Sequence, residues 1–164
     1  INGSCWNTSK ALLPRIRAAI AAVAEHKLLE ERIVDVKKAC RRRGWFSTWS
    51  NAIRTSKGFS SGTAILAHAY LDVGFIDEDV PQLVIEGRAV SCNLRTRVIG
   101  PWVLYSLYLK DGEGLSIRNA EIIDKVIAHA AQHRRPWLAA GDMNMTPSEI
   151  SLPSTVIWGL ASAS

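Results

Sequence analysis

The stretch Trp137-Leu138-Ala139-Ala140-Gly141-Asp142-Met143-Asn144 decides how this chain is read. Its first four residues are apolar and follow Pro136, so they form a short strand that runs into Gly141-Asp142-Met143-Asn144. Just beyond, Thr146-Pro147-Ser148-Glu149 places an N-cap threonine, a first-turn proline and a glutamate at the third position, which starts a short helix that Pro153 prevents from running far. Upstream, Ile117, Ala120, Ile123, Ile127 and Ala130 recur at helical spacing from Ser116, and the helix ends before Pro136. Ahead of it come the loop Asp111-Gly112-Glu113-Gly114 and a strand over Val103 to Leu109. Before those, Leu83–Ile85 and Ala89–Asn93 flank the turn Glu86-Gly87-Arg88 as a hairpin or a bulged strand.

The first half has the same mixed character. Ala11 to Arg17 reads as a short helix with Pro14 in its first turn, and Ala18 to Ala24 as a buried strand, with helix as the alternative. Leu29, Ile33, Val36 and Cys40 share one helical face, with Glu30 and Glu31 early and arginines late, and Gly44 stops the helix. Trp45 to Arg54 is rich in β-formers, and Lys57 to Gly62 is a flexible loop into the strand Thr63-Ala64-Ile65-Leu66. Adjacent strand pairs alternating with helix-separated ones favour an α+β layered sandwich over a doubly wound parallel sheet.

At 164 residues, 48% of them hydrophobic, the chain suffices for one domain, which buries roughly 70% of its unfolded surface. Its apolar runs fall well short of the roughly 20 residues a spanning helix needs, which excludes a membrane role of that kind. Cys5, Cys40 and Cys92 have no paired spacing, against a zinc site or a disulfide framework, and fit a reducing intracellular compartment, the nucleus included. Residues 1–60 carry twelve Lys/Arg against four Asp/Glu. Such a basic segment suits a phosphate-rich partner, although Lys37, Lys38, Arg41, Arg42 and Arg43 also sit where a helix C-terminus favours cations.

Four segments, in this order, resemble the signature of the endonuclease/exonuclease/phosphatase superfamily. Ile1-Asn2-Gly3 through Trp6 resembles its first-strand motif, and Ala24-Glu25-His26-Lys27-Leu28 its second. Leu107-Tyr108-Leu109 is similar to the strand end bearing the active-site tyrosine, although Lys110-Asp111 stands where a proline often follows. Gly141-Asp142-Met143-Asn144 matches the Gly-Asp-x-Asn motif, and Gly62-Thr63-Ala64-Ile65-Leu66 looks like the glycine-led central strand. The Glu-His form of the second motif, with the arginine-rich helix leading to Gly44-Trp45, looks most like endonuclease domains of non-LTR retrotransposons.

The resemblance implies a four-layer α/β/β/α sandwich of the DNase I-like type, with Mg²⁺ or Mn²⁺ as cofactor and nucleic acid, DNA favoured, as partner. It places Glu25 and Asn2 at the metal, Tyr108 on the phosphate, Asp142 on the attacking water and Asn144 on the phosphorus centre. The chemistry needs these types: Mg²⁺ takes one or two carboxylates and keeps its waters, a carboxylate can activate water, and amides donate to developing charge. Residues two apart at a strand end would share a face, so Asp142 and Asn144 would converge while Met143 faces the opposite way. Each residue alone has a plainer reading: Asp-x-Asn as an Asx-capped turn, Glu25 as a solvated strand-end charge, Tyr108 as core. His26, next to Glu25, is expected at the site rim, and His68, His129 and His133 as strand-end or helix-surface residues; none is assigned catalysis.

The family closes its site with a second aspartate and an Asp-His pair, yet residues 150–164 contain no Asp, Glu or His. The chain is therefore expected to be a C-terminally incomplete copy of the domain. Two readings remain: a metal-dependent endonuclease or phosphodiesterase, or a non-catalytic nucleic-acid-binding or scaffold remnant.

Overall fold

The computed structural model describes residues 5–12, 18–69, 74–75, 81–96 and 100–145. In chain order these form α1 (Trp6–Leu12), β1 (Ile20–Ala24), α2 (Glu30–Arg41), β2 (Trp45–Trp49), β3 (Ile53–Thr55), β4 (Gly58–Ser60) and β5 (Thr63–His68). There follow β6 (Gly74–Phe75), β7 (Val84–Ile85), β8 (Ala89–Thr96), β9 (Gly100–Tyr108), α3 (Ile117–His133) and β10 (Trp137–Asp142). Strands β1, β5 and β2 make an antiparallel sheet with β5 central. A second sheet runs β10-β9-β8-β6, with β7 also on β8; its β9–β10 pair is parallel and the others antiparallel. The short hairpin β3–β4 belongs to neither.

The alternation of side chains along each strand sorts the apolar residues into three cores. On β5, Ala64 and Leu66 point toward Ile33 and Cys40 of α2, with Trp6 of α1 and Trp45 and Trp49 of β2. Ile65 and Ala67 point the other way, against Val90, Cys92 and Leu94 of β8 and Leu104 of β9. On the far side of the second sheet Val103, Tyr105 and Leu107 meet Ile123, Val126 and Ala130 of α3. Helix, sheet, sheet and helix are thus stacked in the expected α/β/β/α order, held at each boundary by side chains worth about 1.5–3 kcal/mol each when fully buried.

Several local expectations shift. The first helix starts at Trp6, not Ala11, because Trp6 and Ser9 bury one face of it and the Trp6 ring meets Trp49 edge-on at 5.0 Å. The expected segment 13–17, the first-strand motif at 1–4 and the helix start at 146–149 lie outside the described residues. Trp45 to Arg54 is not one strand: Ser50 N–H donates to the Thr63 carbonyl and Ala52 N–H to that of Leu28, which turns the chain out of the sheet. The expected loop Lys57–Gly62 is instead half strand, Phe59 pairing with Arg54 and Gly58 with Thr55. On α3, Ile117 is 80% exposed, because Ser116 caps the helix and Asn119 takes the buried first-turn position.

Candidate active site

Strand β1 crosses β9, and the Ser106 hydroxyl donates to the Val23 carbonyl at 3.3 Å. Two residues further along, β1 gives way to Glu25 and β9 ends at Tyr108. Since β10 is parallel to β9, its last residue Asp142 pairs with Tyr108, and Leu109 N–H donates to the Asp142 carbonyl at 2.9 Å. The ends of three strands, one from the first sheet and two from the second, therefore bring Glu25, Tyr108 and Asp142 to one rim.

Glu25 and Lys27 both have left-handed backbones, φ 59° and 57°, which cost an ordinary residue roughly 1–2 kcal/mol. The surrounding backbone holds them: His26 N–H donates to Gly62 O, Lys27 N–H to Ser61 O, and Trp6 N–H to His26 O. The Glu25 carboxylate is half-buried and meets the Lys27 ammonium at 3.2 Å. His26 is not at the rim as expected. It is 1% exposed, donates from Nε2 to Ser50 O at 3.0 Å and accepts Leu28 N–H on Nδ1 at 3.0 Å, so the ring is neutral. Burial pushes its pKa down to about 4. A Cβ at Gly62 would lie 2.5 Å from its ring, so glycine here makes room for the histidine.

Tyr108 is half-buried, and burial holds its phenol above the ordinary range. The Glu25 carboxylate pushes the same way, as do Asp142 and Asp111, while Arg88 opposes them. Three carboxylates, Glu25 and Asp142 among them, thus act on one phenol. Arg88, which the sequence presented as a turn residue, places its guanidinium carbon 5.2 Å from the centre of the Tyr108 ring. Its position in the β7–β8 turn gave no local signal of this role; it reaches the rim because β8 pairs with β9.

Asp142 and Asn144 do not converge as two strand residues. Asn144 lies past the strand with φ 48°; its N–H donates to Asp142 Oδ1 at 3.2 Å and its side-chain amide to Leu109 O at 2.7 Å. The tetrad is an Asx-type turn pinned to the end of β9. Met143 is buried beneath it. Gly141 is required by β9: a Cβ there would run into the Leu107 carbonyl. Asn2 lies outside the described residues. His129, expected on the surface, is buried, accepting the Tyr105 hydroxyl and donating to Pro81 O at 2.8 Å.

Among the described residues no three His, Cys, Asp or Glu side chains gather to cage a metal. A hydrated Mg²⁺ or Mn²⁺ needs no such cage, and a single carboxylate such as the half-buried Glu25 suits it, whereas zinc would require a set of His and Cys. Among the described residues no helix is long and apolar enough to cross a membrane.

No family model matches the sequence, and no curated protein does. Solved structures do match in fold. The 3'-5' exonuclease NExo from Neisseria meningitidis superposes with a TM-score of 0.54 at 20% identity, covering 89% of this chain and 57% of that one. D. rerio TDP2 complexed with single strand DNA product gives 0.56 at 14% identity, covering 91% and 58%. The endonuclease domain of TRAS1, a telomere-specific non-LTR retrotransposon, gives 0.52 at 19% identity, covering 85% and 54%. The chain spans little more than half the length of these three structures. With its three cores stacked between helix, sheet, sheet and helix, the chain has the DNase I-like fold of the endonuclease/exonuclease/phosphatase nucleases.

Proposed function

We propose that this chain is a divalent-metal-dependent phosphodiester hydrolase acting on nucleic acid, DNA above all. The observation that carries the reading is the convergence of three strand ends, which brings Glu25, Tyr108 and Asp142 to one rim with Arg88 against the Tyr108 ring. Support comes from the fold shared with nucleases, and from the D. rerio TDP2 complex with single strand DNA product. The three cysteines, free and two of them buried, fit a reducing intracellular compartment.

Glu25 would hold Mg²⁺ or Mn²⁺, with Asn2 beside it; when bound, the cation neutralises charge building on the phosphoryl oxygens. Asp142 accepts the proton of the attacking water as the new P–O bond forms. The ester P–O bond breaks on the opposite side, and the leaving alkoxide takes a proton from solvent. Asn144, oriented by its bond to Leu109 O, donates to the phosphoryl group, and Tyr108, kept protonated, donates to a non-bridging oxygen. Arg88 places a positive charge beside that oxygen.

The test is nicking of supercoiled plasmid in Mg²⁺ and in EDTA, with Glu25→Ala and Asp142→Ala as controls. Metal-dependent nicking lost in both variants is expected. Nicking that survives both, or none by the folded parent chain, overturns the reading. A specific observation favours the second possibility, a binding remnant: Lys37, Lys38, Arg41, Arg42 and Arg43 are all exposed on and after α2. Salt-sensitive plasmid binding without cleavage is its signature.

A further inference from the structure

The hairpin β3–β4 lies outside both sheets, and everything at its tip faces solvent: Arg54, Thr55, Ser56, Lys57, Gly58 and Phe59 are exposed. Phe59 is 45% exposed and joins none of the three cores among the described residues. An isolated two-stranded hairpin is marginal by itself, and Phe59 adds little more to it than its contact with Arg54.

The tip is closed by its own hydrogen bonds. The Thr55 hydroxyl donates to Gly58 O at 3.1 Å and accepts Lys57 N–H at 3.3 Å, closing a two-residue turn with Lys57 at its apex. Arg54, opposite Phe59 in register, lays its guanidinium carbon 5.5 Å from the ring centre. One aromatic face and two cations are thus presented together.

The base of the hairpin also sits against the candidate active site. Ser61, just after β4, accepts Lys27 N–H at 2.9 Å, and Gly62 N–H donates to Gly87 O at 3.0 Å. A Cβ on Gly87 would lie 2.7 Å from the Ile53 side chain, so β3 rests directly on the turn that carries Arg88. The arm therefore rises between the segment bearing Glu25 and the segment bearing Arg88.

We infer that the β3–β4 hairpin is a nucleic-acid arm that stacks an unpaired base on Phe59 and holds the flanking phosphates with Arg54 and Lys57, directing strands with unstacked bases to the rim. Stacking on an aromatic ring is tolerant of sequence but needs a base released from its neighbour, and the flanking cations match a phosphate on either side of it. The inference rests on the phosphodiester reading of that rim only for where the strand is led.

The test is fluorescence anisotropy in EDTA, so that nothing is cleaved, with a labelled single-stranded oligonucleotide and the blunt duplex of the same sequence. Phe59→Ala is expected to weaken single-strand binding about tenfold and duplex binding little, and Phe59→Trp to restore it. Arg54→Ala and Lys57→Ala should each lower the slope of log affinity against log salt by roughly 0.7. Single-strand binding unchanged in Phe59→Ala, an equal loss on the duplex, or no binding by the parent chain overturns the inference. Because the readout needs no hydrolysis, a chain that never nicks plasmid but shows the Phe59 dependence would sink the hydrolase reading and leave the arm standing.

Discussion

Arg88 and Tyr108 are joined three times: the guanidinium lies against the phenol ring at 5.2 Å, its Nη1 donates to the Tyr108 carbonyl at 3.5 Å, and Tyr108 N–H donates to the Arg88 carbonyl at 2.8 Å. The β8–β9 ladder thus fixes the cation beside the one phenol on which both Glu25 and Asp142 act.

Replacing Arg88 by Met removes that cation while keeping apolar cover on the ring. The Tyr108 phenol should then ionise at still higher pH, since Arg88 is the group that lowers its pKa. Ring-carbon NMR shifts followed through the alkaline range measure this directly. Nicking of plasmid should fall roughly ten- to a hundredfold with the fold retained; an unchanged phenol titration would show that Arg88 does not act on Tyr108 in solution.

Asn144 combines a backbone role with its proposed chemical one. Asn144→Gly keeps the left-handed backbone and loses the amide, so stability should drop by no more than about 1 kcal/mol, the worth of one hydrogen bond. Plasmid nicking should drop roughly a hundredfold or more. Asn144→Ala should lose additional stability of about 1 kcal/mol through the backbone alone. Urea midpoints and nicking rates on the two variants separate the roles.

The buried His26 makes stability depend on acid. Its folded pKa is about 4, lowered chiefly by burial from an ordinary 6.5, so the unfolded chain binds the extra proton first. The contribution is present in full above pH 6.5 and disappears as pH falls toward 4, a loss of about 3 kcal/mol. Urea denaturation across that range should show the decline, and His26→Gln should flatten it; a parent chain equally stable at both ends would contradict the buried neutral ring.

Gly141→Ala should cost at least about 2 kcal/mol, because its Cβ meets the backbone carbonyl of Leu107, which cannot rotate away as a side chain could. The parallel β9–β10 pair would have to open where Asp142 faces Tyr108. A lowered urea midpoint, with the nicking rate per folded molecule reduced as well, is the expected result.

What was legible in the sequence was what local pattern encodes. The helical face of Ile33 and Cys40, the stop at Gly44, the turn at Glu86-Gly87-Arg88 and the strand into Asp142 all follow from spacing and turn chemistry within a dozen residues. A layered α+β sandwich followed too, from adjacent strand pairs alternating with helix-separated ones, and its α/β/β/α order from the family resemblance; β5, buried from Thr63 to Ala67, is accordingly covered on both faces. The segment after Lys57 misled because its glycines and serines suggest a loop, whereas cross-strand pairing with β3 makes it a strand.

The sequence by itself determined most of the elements and, through its resemblance to the family, the layer order and the candidates Glu25, Tyr108, Asp142 and Asn144. The tertiary structure alone decided that Arg88 stands over Tyr108, that His26 and His129 are buried, and that Phe59 is left in water beside the rim. The physical reason is range. Periodicity and turn chemistry act over a few residues, whereas the Tyr108 phenol feels charges from Glu25, Arg88 and Asp142, residues brought together only when the two sheets pack and the β9–β10 ends align.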